Sequence, residues 1–175
     1  QLKKNTWLVN YYLALCDYHI AVTAMESKDN EKIKKYTQSG LELIGKSLLD
    51  RDNFADTYVL KLSLDYNRFQ YEMDKMQSII SDVTADEENA KKYDPTNPRL
   101  YLVKGIATFY TPAAFGGGVD KAQPMLEKSV ELFGLIKNSD VTLPDWGEET
   151  AYAYMAQQLL LSCQIGKRYG KGTAD

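Results

Sequence analysis

Laid over itself at an offset of 82 residues, the chain matches Gly40 with Ala122, Ile44 with Leu126, Lys46 with Lys128, Ser47 with Ser129 and Leu48 with Val130. Small residues fall on small ones and large apolar residues on large apolar ones. Their steps of three and four put them on one face of a helix. Self-similarity of this kind points to stacked like units and argues against a single closed bundle. The offset leaves room for one further unit of roughly 40 residues between the two copies, so the repeating piece is a helical hairpin.

The rest of the chain agrees with that unit. Residues 6–25 carry Leu8, Tyr11, Tyr12, Leu15, Tyr18, Val22 and Met25 as an apolar stripe. Asp29 or Asn30 can cap a second helix with the stripe Ile33, Tyr36, Leu41, Ile44 and Leu48. After the polar turn Asp50–Asn53, a third helix sets Phe54, Tyr58, Leu62, Tyr66 and Phe69 on one side. A fourth carries Met76, Ile79, Ile80, Val83 and Ala90, with a solvated stretch from Thr84 to Asn89. Asn97 suits an N-cap and Pro98 the first position of a fifth helix, where its missing N–H costs nothing. Thr111 and Pro112 end that helix, and Gly116–Gly118 form a loop. A sixth helix starts near Asp120, with Pro124 in its first turn, and stops near Gly134. Asp145 and Glu148 make a capping box for a seventh, which runs to about Ile165 and is followed by a frayed tail. No segment alternates with period two. The expected fold is all-α, a single domain over 1–175 with hairpins at about 6–50, 53–93 and 97–134 and a capping helix at about 146–166.

Composition removes whole classes of function. The chain has 21 basic and 24 acidic residues, a net charge of −3, which gives no electrostatic footprint for nucleic acid or for an anionic membrane surface. No apolar run reaches the length of a spanning helix, so this domain is not expected to insert into a membrane. Its single histidine, His19, and the distant Cys16 and Cys163 cannot build a Cys/His metal cluster, and the two cysteines read as buried free thiols. The glycine run ahead of the sixth helix lacks the preceding strand and the following Gly-Lys-Ser/Thr of a phosphate loop, and reads as a turn. His19 and Asp17 stand two residues apart and do not face each other on a helix. Glu148 and Glu149 suit the positive end of a helix dipole. Neither a nucleophile motif nor an acid pair emerges, so no enzyme activity, catalytic residue, metal or cofactor is expected. Thirteen tyrosines are the unusual feature, because tyrosine joins apolar area to a polar handle and is enriched at binding surfaces.

Residues 94–133, DPTNPRLYLVKGIATFYTPAAFGGGVDKAQPMLEKSVELF, resemble a tetratricopeptide repeat with an enlarged turn. Tyr101 and Gly105 match the aromatic residue and glycine of the repeat's first helix. Ala122, Leu126 and Ser129 match the small, large and small positions of its second, and Asp94-Pro95 the end of a preceding repeat. Residues 33–60, through Gly40, Ser47 and Tyr58, resemble a second copy. The Asn-Pro-Arg start and Phe-Gly-Gly-Gly turn are similar to a branch found in exported proteins and lipoproteins of Bacteroidetes-type bacteria. The resemblance implies a right-handed superhelical array, a TPR-like α-solenoid, whose concave groove holds a protein or peptide partner without catalysis. Carried onto this chain, the groove is Arg99, Leu102, Ile106, Phe109 and Tyr110 in the fifth helix and Asp56, Val59, Ser63, Tyr66 and Asn67 in the third. Arg99 would pair there with a carboxylate. The alternative implied by the same branch is a small-solute-binding accessory protein of a cell-envelope transport system. Either places the chain in the periplasm or envelope, with a lipid anchor possible upstream of Gln1; the alternative compartment is the cytoplasm.

Overall fold

The structure of the protein is a computed structural model and describes residues 6–137 and 140–169, with side chains through Leu161. The described residues form seven α-helices and no strand: α1 (Thr6–Glu26), α2 (Asn30–Asp50), α3 (Ala55–Asn67), α4 (Met76–Tyr93), α5 (Pro98–Tyr110), α6 (Val119–Phe133) and α7 (Glu148–Tyr169). The chain divides into two compact units, Gln1–Asn97 and Pro98–Asp175. Cys163 and the expected frayed tail lie outside the residues whose side chains are described.

In the first unit α1 pairs with α2 and α3 with α4, while α2 also packs on α3. Asp29 caps α2 by accepting a hydrogen bond from the Lys32 backbone N–H at 3.0 Å. The buried side of α1 is Trp7, Leu8, Tyr11, Ala14, Leu15, Ala21 and Ala24, whereas Val22 and Tyr12 are exposed. This corrects the expected stripe. Three alanines on the packed side allow the close approach of α2, and a count of large apolar residues passes over them. On α4 the same correction applies: Met76 and Ile80 are exposed, while Asp86, inside the stretch expected to be solvated, is buried. α3 is the central element of this unit, with buried residues around most of its circumference, from Ala55 through Leu60 to Asn67.

In the second unit α5 pairs with α6, and α7 packs on both. Gly105 sets the spacing of α5 and α6, because a Cβ there would meet Leu126 Cγ and Cδ2 at 2.8 Å. Leu102, Leu126, Phe133 and Ala151 form the core, edged by Ile106, Val130, Trp146, Tyr154 and Met155. α6 begins at Val119, so Pro124 falls in the second turn and forfeits one i→i−4 hydrogen bond. The capping box is also corrected. α7 starts at Glu148, and the residue before it is Gly147, whose carbonyl accepts from the Ala151 N–H at 2.9 Å while Asp145 is exposed. Gly147 has φ +105°, and a Cβ would lie 3.0 Å from Leu102 and 3.2 Å from Phe133, so only glycine lets the chain enter the helix this close to the core.

The two copies found at an offset of 82 do the same work. Ser47 Oγ donates to the Trp7 carbonyl at 2.8 Å, and Ser129 Oγ donates to the Pro98 carbonyl at 2.9 Å. Each serine reaches from the second helix of a hairpin to a carbonyl in the first turn of the first helix. Gly40 and Ala122, and Ile44 and Leu126, are buried at matching positions.

Candidate functional site

The ten expected groove residues separate sharply by exposure. On α3, Asp56, Val59, Ser63 and Asn67 are buried. Asp56 Oδ1 accepts from Asn97 Nδ2 at 3.0 Å, and Ser63 Oγ donates back to the Val59 carbonyl. Asn67 Nδ2 is buried without a hydrogen-bond partner. Tyr66 is half-buried, and burial with the nearby Glu87 charge pushes its phenol up to about 12. On α5, Leu102 belongs to the core. Arg99 is buried, with Nε donating to the Trp146 carbonyl at 2.8 Å and an Nη to the Pro144 carbonyl at 2.6 Å. Its guanidinium also lies 5.5 Å from the ring centres of Phe133 and Trp146. Arg99 therefore clamps the segment leading into α7, and its donors point at backbone carbonyls. Ile106 lies at the edge of the core, which leaves Phe109 and Tyr110 as the members that reach the surface.

These two do not stand alone. Tyr154 of α7 packs edge-on to Phe109 at 5.8 Å and to Tyr110 at 6.2 Å, and Phe109 packs edge-on to Tyr110 at 5.2 Å. The Tyr110 and Tyr154 hydroxyls are 3.3 Å apart. Tyr110 is 64% exposed, and Phe115, in the loop after α5, is 81% exposed. That loop is fastened to α5 by the Gly118 N–H donating to the Thr108 carbonyl at 2.9 Å. Gly117 must stay a glycine, because a Cβ would fall 2.1 Å from the Thr111 carbonyl oxygen. The result is an aromatic surface with two phenol hydroxyls, built on rigid helices of one unit. Sequence reasoning reached Phe109 and Tyr110 but missed Tyr154, which lies on a helix read only as a cap. The available signal was the surplus of apolar residues on α7: Tyr152, Leu159 and Leu160 are exposed beyond what its packed side uses.

The first unit offers a separate feature. Leu8, Val9, Tyr12, Leu13 and Cys16 of α1 line an open apolar groove of about 400 Å³. Cys16 is exposed there, contrary to the expected buried thiol, because the packed side of α1 runs through Ala14 and Leu15. His19 is exposed one turn further along, and partial burial of its imidazole lowers its pKa. Among the described residues no group of three or more His, Cys, Asp or Glu side chains could hold a metal ion. No helix among them is long and apolar enough to cross a membrane.

Among solved structures, the chain is similar to the HusA haemophore from Porphyromonas gingivalis, with a TM-score of 0.73 and 25% sequence identity. The match covers 87% of this chain and 74% of that one. That neighbour is a haemophore from a Bacteroidetes bacterium. No family model matches the sequence, and no curated protein matches it either.

Proposed function

We propose that this protein is a non-enzymatic carrier that captures haem on the aromatic surface of Phe109, Tyr110 and Tyr154. The likeness to a haemophore over 87% of the chain carries the reading. The chemistry of the exposed aromatic rings supports the reading. A porphyrin is a flat, largely apolar ring system, and aromatic side chains bind such faces by offset or edge-on packing. The phenol hydroxyls add polar points that orient it, as small-molecule sites ordinarily combine apolar walls with a few placed polar groups. The reading corresponds to the solute-binding alternative drawn from the sequence, and it keeps the expected placement in the bacterial envelope. Finding neither a signal peptide nor a lipid-anchor cysteine upstream in the reading frame would remove that placement.

Titration with ferric haem, followed by its absorbance, tests the reading. Saturable binding is expected, weakened at least about tenfold in the double variant Tyr110→Ala, Tyr154→Ala. A flat titration would overturn it. A second reading, favoured by the matched serines of the hairpin repeat, is a peptide or protein segment held along a superhelical TPR-like groove. In that case the protein leaves the spectrum of added haem unchanged, and a defined peptide library binds the wild type but not Tyr110→Ala.

A further inference from the structure

We propose that α7 pairs with the α7 of a second copy of this chain, antiparallel and around a two-fold axis at Ala156. The helical repeat shows what α7 lacks. In the first unit α3 packs on α2 and α1 and then takes α4 as its hairpin partner. In the second, α7 packs on α6 and α5, and no other helix among the described residues covers its far side. Aligned on their tyrosines, α3, α5 and α7 bring Tyr58, Tyr101 and Tyr152 to one place. Leu62, Gly105 and Ala156 then match one turn on, and Asp65, Thr108 and Leu159 the turn after. In the two complete hairpins, residues of this set touch the second helix. Tyr58 stacks on Tyr93 of α4 at 5.6 Å, and Asp65 shares the Lys61 ammonium with Asp86 of α4. Gly105 sits against Leu126 of α6, and Thr108 Oγ1 donates to Met125 Sδ of α6 at 3.6 Å. On α7 the same places are bare. Tyr152 is 53% exposed and Leu159 63%, and Ala156 is exposed between them.

The face suits a second copy because it is complementary to itself. From Thr150 to Gly166 the sequence has no charged residue, so two copies meet there without like-charge repulsion. Large side chains flank a small centre. With Ala156 on the axis, Tyr152 falls beside Leu159 and Leu160 of the second copy, and Ala153 lies opposite that Leu160. Ala156 meets its own counterpart, where two methyl groups let the helices come close. An exposed helix side that stays apolar over successive turns marks an interaction surface. A standard interface buries about 800 Å² from each partner, and one helix face gives less, so the expected dimer is weak, with a Kd of about 10–100 µM. The apolar strip of Val9, Tyr12, Leu13 and Cys16 on α1 is the rival face. Its helix already has a hairpin partner in α2, so the repeat leaves no vacancy there. Tyr154 points away from the pairing face, toward the core edge, so the dimer forms without ligand and is independent of the haem reading.

Analytical ultracentrifugation of the ligand-free chain, from about 1 to about 500 µM, tests the pairing. A reversible monomer–dimer equilibrium is expected, and Ala156→Glu should keep the protein monomeric throughout. Ala156 is exposed, so the change leaves the fold intact, which circular dichroism checks. Cysteine placement reads the register. In a Cys16→Ser, Cys163→Ser background, Ala156→Cys should cross-link to a dimer with a short bismaleimide, and so should Tyr152→Cys mixed with Leu160→Cys. Glu149→Cys alone is far from its own counterpart in an antiparallel pair and should stay uncoupled. A monomer at every concentration or a dimer that survives Ala156→Glu would overturn the pairing. So would a dimer lost instead to Leu13→Glu on α1, or cross-linking through Glu149→Cys, which requires parallel helices. None of these results bears on haem capture at Tyr110 and Tyr154, which its own titration decides.

Discussion

Two side chains show how differently residues advertise themselves. Ser129 is fully buried and gives its hydroxyl proton to the Pro98 carbonyl. Ser129→Ala should cost about 0.5–1.5 kcal/mol in urea unfolding, because a buried hydrogen bond is lost while the carbonyl keeps its intrahelical bond. Ser47→Ala should cost a similar amount through the Trp7 carbonyl. The sequence displays this pair openly, since like positions in two copies carry the same small polar residue. Asp86 is the opposite case. It shares Lys61 with Asp65, each oxygen 2.9 Å from Nζ, while Arg68 also bridges Asp65 at 2.7 Å. Burial, with the Asp65 charge beside it, outweighs the shared cation and pushes the Asp86 carboxyl up to about 7. Its proton is held more tightly in the folded chain than in the unfolded one. Ionising Asp86 therefore destabilises the fold, and the protein should lose stability as pH rises from about 4 to about 7. Asp86→Asn should flatten that slope in urea midpoints measured between pH 5 and pH 8, conditions chosen to bracket the upper end of the window. Nothing in the local sequence reveals this. Asp86 sits in a run so polar that periodicity assigns it to solvent, and its partners are on another helix.

At the scale of elements, the close approach of α5 and α6 is written in glycine and alanine. Gly105→Ala improves helix propensity by about 1 kcal/mol, yet its methyl would have to displace the fully buried Leu126 side chain. A net loss of about 1–2 kcal/mol in chemical unfolding is expected. The start of α7 depends on Arg99, which holds the Pro144 and Trp146 carbonyls. Arg99→Met keeps much of the apolar stem and removes the donors. It should speed amide exchange at Ala151 in the first turn of α7 while leaving exchange in α2 unchanged. Helix existence and order were legible because stripes, caps and prolines act locally. The faces were less so. Alanine packs α1 without standing out as hydrophobic, and Gly147 takes the position before α7 because space beside Leu102 and Phe133 decides it. A capping-box pattern cannot report that space.

For the whole chain, near-balanced charge bears on how cargo arrives. With a net charge of −3, no strong field would gather the proposed ligand, a haem bearing two propionates. Capture driven by apolar contact should therefore change by less than about threefold between low salt and 0.5 M salt in stopped-flow absorbance. Steeper salt dependence would point to a basic patch as the entry point. The candidate surface was half legible. Phe109 and Tyr110 follow from the helical repeat, but the groove that includes Arg99 and Leu102 supposed a free face where the structure has core and clamp. Tyr154 is far away in sequence, and only the folding of α7 onto α5 and α6 brings it in. That placement has a consequence during synthesis. The α5–α6 hairpin leaves the ribosome with Tyr110 made and its neighbour still missing, so a chain cut short before α7 carries half a phenol pair. On the proposed reading, the aromatic surface is complete only once α7 has followed the hairpin.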